Sequence, residues 1–82
     1  MNKAIIEKFL KNNPLDSMYN LQISLDTLMI SSNFPIINFS VEIDSIKSMG
    51  INYKNIFFES EFGKFEFMKE DSFKRLKRNI IK

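Results

Sequence analysis

The chain has 82 residues, a net charge of +2 and no cysteine, histidine or tryptophan. That length is about half of a typical domain, so one small domain over residues 1–82 is expected, with modest net stability. The missing residue types exclude disulfides and thiolate metal sites, and remove the usual general base and pH switch.

Lys3 to Asn12 is predicted to form a short amphipathic helix. Ile5, Ile6, Phe9 and Leu10 gather on one side, with Glu7, Lys8 and Lys11 on the other. Asn13-Pro14 stops it, because the residue before a proline is pushed out of the helical region. Leu21 to Ile30 fits two patterns. Leu21, Ile23 and Leu25 alternate as in a strand, while Met18, Leu21, Leu25 and Leu28 fit a helical stripe capped by Asp16 or Ser17. The strand is preferred, since strands follow and Ile23 and Ile30 fall off the stripe.

Ile37, Phe39, Val41 and Ile43 alternate with polar residues, as in a half-buried strand. Ser45 to Met49 allows one helical turn, ended by Gly50 at a positive φ. Ile51 to Ser60 and Lys64 to Met68 then read as two strands joined by a turn around Glu61-Phe62-Gly63. Pairing Phe58 with Phe67 and Ser60 with Phe65 puts Ile56, Phe58, Phe65 and Phe67 on one buried face. Asp71 or Ser72 caps a C-terminal helix with Phe73, Leu76 and Ile80 as its apolar stripe. The expected class is α+β: an N-terminal helix, a three- to four-stranded antiparallel meander and a basic amphipathic C-terminal helix. At least one helix must cover the phenylalanine-rich face, because an isolated hairpin does not hold together in water.

Charge is unevenly spread. Residues 14–46 contain no Lys or Arg and hold Asp16, Asp26, Glu42 and Asp44, whereas both ends of the chain are basic. Phe, Tyr, Met, Ile, Asn and Lys make up more than half of the chain, and Gly, Ala, Arg and Pro are scarce. The first group has AT-rich codons, which points to a low-GC bacterium or to a phage or plasmid living in one. The N-terminal stretch is broken by Glu7 and Lys8, and no apolar run approaches the length of a membrane span. A cytoplasmic protein with no membrane partner is expected.

Carboxylates are the remaining route to acid–base or metal chemistry. Glu59 and Glu61 share a strand face, and the expected register sets Glu66 opposite Glu59. Three such groups can ligate a divalent cation, but exposed acids near a turn are ordinary, so no catalytic residue, metal or cofactor is assigned. The basic helix is the better candidate. Lys74, Arg75, Arg78 and Lys82 fall on the face away from Phe73, Leu76 and Ile80, free to meet an acidic protein surface, phosphates or another subunit. The competing reading is a solvated face whose cations complement the helix dipole.

These features lead to the expectation of a non-catalytic, protein-binding inhibitor or regulator. It would be of the kind that phages and other mobile elements encode against host functions or defences, anti-CRISPRs among them. A small nucleic-acid binder using the basic helix is the alternative, and a homodimer is left open.

Overall fold

The computed structural model describes residues 1–70. Helix α1 spans Lys3–Asn12, the range read from the sequence. It starts where the Asn2 side-chain oxygen accepts from the Ile5 N–H at 2.9 Å, which satisfies one of the free donors of the first turn. At its other end the Asn13 N–H donates to the Phe9 carbonyl, and Pro14 follows. Ile6 and Leu10 are buried and Phe9 packs beside them, while Ile5 stays half exposed.

Among the described residues six strands follow, where three or four were expected. β1 (Asn20–Ser24), β2 (Thr27–Asn33) and β3 (Ile36–Glu42) form one antiparallel sheet in that order. A short 3-10 turn, Ile43–Ser45, leads to β4 (Ile46–Asn52), β5 (Asn55–Ser60) and β6 (Gly63–Met68), which form a second. The α+β class and antiparallel pairing stand. The C-terminal helix expected from Asp71 lies outside the described residues.

All four hairpins close through two residues: Leu25-Asp26, Phe34-Pro35, Tyr53-Lys54 and Glu61-Phe62. A two-residue turn pairs an odd position with an even one. The inward set therefore switches from Leu21 and Ile23 to Leu28 and Ile30, and then to Ile37, Phe39 and Val41. The single strand expected over 21–30 is thus a hairpin, in which Leu25 continues the alternation only by sitting in the turn. Ile51 to Ser60 is likewise not one strand, since the Tyr53-Lys54 turn separates the end of β4 from β5.

Two further expectations are corrected. Ser45 to Met49 forms no helical turn, because Ile46 and Met49 are needed in β4, where Ile46 is buried against the core and Met49 packs on it. Gly50 lies inside β4 and ends nothing. Its missing side chain leaves room for Phe57, whose ring would lie 2.8 Å from a Cβ at that position. The β5–β6 register also slips by two residues, so that Phe58 faces Phe65 and Ile56 faces Phe67. A slip of two keeps every side chain on its face, so the expected buried face survives while each pairing changes.

Both inner faces meet in one core with α1. Phe39 from the first sheet lies 4.9 Å from the Phe65 ring and 5.1 Å from the Phe67 ring of the second. Phe67 also contacts Phe58 and takes the edge of Tyr19, offset geometries that suit aromatic pairs. The segment after α1 straps the second sheet: the Asp16 N–H donates to the Met68 carbonyl, and the Tyr19 hydroxyl accepts from the Met68 N–H. The buried Ser32 hydroxyl donates to the Pro35 carbonyl at 2.7 Å, so this polar group enters the core satisfied.

Candidate functional site

The turns carry the most exposed apolar residues. Leu25 is 86% exposed, Phe34 89%, Ile36 88%, Tyr53 87% and Phe62 74%. Each sits at or beside a two-residue turn whose two central positions hold neither the glycine nor the asparagine of ordinary hairpins. Leu25 and Tyr53 also adopt positive φ, 53° and 60°, a region unfavourable to bulky side chains. The sequence patterns put Leu25 and Tyr53 inside strands and Phe62 in a turn, and single out neither Phe34 nor Ile36. The signal that finds them is the switch of inward parity between successive strands, which locates each turn.

The outer faces of the two sheets differ. On the second sheet Phe57 covers Gly50, and the Lys64 ammonium sits 4.6 Å from the centre of the Phe57 ring. The Asn52 amide donates to the Glu66 carboxylate at 3.0 Å. Met68 is exposed on the same face, and Phe57 is half buried under its lysine. On the first sheet the outward residues are Asn20, Gln22 and Ser24, then Thr27, Met29, Ser31 and Asn33, then Ile36, Asn38, Ser40 and Glu42.

The corrected register separates the expected carboxylate cluster. Glu59 faces Lys64 rather than Glu66, Glu66 faces Phe57, and Glu61 lies in the exposed turn. Among the described residues, no group of three or more acidic, His or Cys side chains is placed to hold a metal ion. In the acidic middle, Asp16 is used locally, its carboxylate accepting from the Met18 N–H. Asp26, Glu42 and Asp44 come to one end of the first sheet, where the Ile43 N–H donates to the Asp26 carbonyl. The basic residues Lys74, Arg75, Arg78 and Lys82 lie outside the described residues. Among the described residues, no helix is long and apolar enough to cross a membrane. Comparison of the chain with family models, curated proteins and solved structures finds no match in any of the three.

Proposed function

We propose that the chain is a small non-catalytic protein-binding module, an inhibitor or regulator acting in the cytoplasm. The observation that supports this reading is the set of large apolar side chains at the turns. Most exposed are Phe34 and Ile36, at the tip of a β2–β3 hairpin that holds no charged residue from Thr27 to Val41. Protein interfaces are anchored by such side chains in a surround depleted of charge. Origin in a phage or mobile element, as a host-directed or anti-defence factor, rests on the AT-rich composition and the small size. The test is capture from a low-GC bacterial lysate, with and without nuclease. A protein should be retained after nuclease treatment and lost with Phe34→Ala/Ile36→Ala, which removes no buried group. Retention unchanged by that pair would refute the tip as the anchor.

One observation favours a second reading, single-stranded nucleic acid. The exposed Tyr53 ring stands beside Lys54, and the Lys69 N–H donates to the Lys54 carbonyl, so an aromatic platform and two cations share one corner. The chain continues from there to Lys74, Arg75, Arg78 and Lys82. If those four meet phosphates, log affinity against log salt falls with a slope of roughly −2.8 for single strands. Nuclease-sensitive capture that changing all four to Gln abolishes would select this reading.

A further inference from the structure

β1 is an edge strand, and among the described residues no strand lies beyond it. Edge strands are normally guarded by charge, proline or a bulge. β4 has Lys47 at an irregularity in its pairing, β6 has Lys64 and Glu66, and β3 begins after Pro35 and ends on Glu42. β1, with the sequence Asn-Leu-Gln-Ile-Ser, has none of these devices. Beside it runs a groove lined by Leu21 and Ile23 of the strand and by Glu7, Leu10 and Lys11 of α1. Leu21 is 42% exposed there.

We propose that this edge is a self-association site, where β1 of a second copy pairs antiparallel about a two-fold axis at Gln22. The hydrogen-bond phase of the strand selects that register. Ser24 and Thr27 close the two-residue turn and exchange their main-chain bonds, so alternate residues Ser24, Gln22 and Asn20 bond to β2. The N–H and C=O groups of Leu21 and Ile23 then point to the open edge. Centring the pair on Gln22 sets Leu21 opposite Ile23 of the second copy, and each such pair exchanges both main-chain bonds. The same register places these apolar side chains on the inner face, where they close the open side of both grooves. Asn20, Gln22 and Ser24 of each copy remain on the polar outer face. The groove rim holds one acid and one base, Glu7 and Lys11, so two copies meet without net like charge. The interface is isologous and closes at a dimer. It is also small, below the roughly 1,200 Å² of a standard contact, so the dimer forms only at high protein concentration.

Sedimentation of the full chain tests this independently of any foreign partner. Wild type should pass from monomer to dimer as its concentration rises toward about 1 mM. Gln22→Lys and Gln22→Glu each set like charges directly opposite across the axis, and should weaken the dimer about fivefold without touching the core. An equimolar mixture of the two variants should restore it, as a heterodimer. A chain that stays monomeric, or variants that dimerise as well as wild type, would overturn the proposal. Loss of the dimer in both variants without recovery in the mixture would also overturn it. Failure here leaves the turn-tip reading untouched, since Phe34→Ala/Ile36→Ala leaves β1 intact.

Discussion

The two sheets have similar interiors and different exteriors. Both turn aliphatic and aromatic side chains inward, and Phe39 joins them through Phe65 and Phe67. Outside, the second sheet carries Lys47, Glu59, Lys64 and Glu66 on its strands, while the first has only Glu42 at the end of its last strand. The core therefore explains why the chain folds. What the folded chain can meet is set by faces, edges and turns, and there the first sheet is left unguarded. Charge on an outer face costs little in stability but opposes strand-to-strand addition.

The largest test asks whether the shared interior makes the two sheets one unit. Phe58 is buried and touches Phe67, so Phe58→Ala should cost about 3–5 kcal/mol. A loss that size is a large part of a small domain's stability. Both sheets should then melt together in a denaturant titration followed residue by residue by NMR. Survival of the first sheet after loss of the second would show two separate units.

Turn strain gives a smaller effect of opposite sign. Leu25→Asn and Tyr53→Asn keep a side chain but suit positive φ, so each should stabilise by about 1 kcal/mol in thermal unfolding. Because Leu25 and Tyr53 are exposed, lost packing does not offset the gain. Unchanged or lowered stability would show that the positive φ costs nothing. Smaller still is the effect of replacing Glu59, Glu61 and Glu66 together by Gln. Glu59 faces Lys64 and Glu66 accepts from Asn52, so the change should cost less than about 1 kcal/mol and raise no melting point. A clear gain would return Glu66 to a position opposite Glu59.

Much of this fold is legible in the sequence, for reasons that also explain the misses. α1 is marked by a capping asparagine, a helical stripe and a stop before Pro14, all of them local. β3 and the buried faces of β5 and β6 follow from alternation, which survives a slip of two. The first hairpin and the β4–β5 turn were hidden because Leu25-Asp26 and Tyr53-Lys54 contain neither glycine nor asparagine. Gly50, the residue that looked like punctuation, instead makes room for an aromatic ring across the sheet. The expected site residues Lys74, Arg75, Arg78 and Lys82 fall outside the described residues. Leu25, Phe34 and Tyr53 were missed because a lone apolar side chain carries no label of exposure until its turn is placed.

The difference between the sheets is tested most directly by amide hydrogen exchange at Leu21, Gln22 and Ile23, at low and high protein concentration. In dilute solution Gln22, bonded to β2, should exchange slowly, and its two neighbours fast. At high concentration Leu21 and Ile23 should slow, while exchange along the β4 and β6 edges stays as it was. Equal rates for Leu21 and Ile23 at both concentrations would contradict the claim that the β1 edge is open to a second copy of this protein.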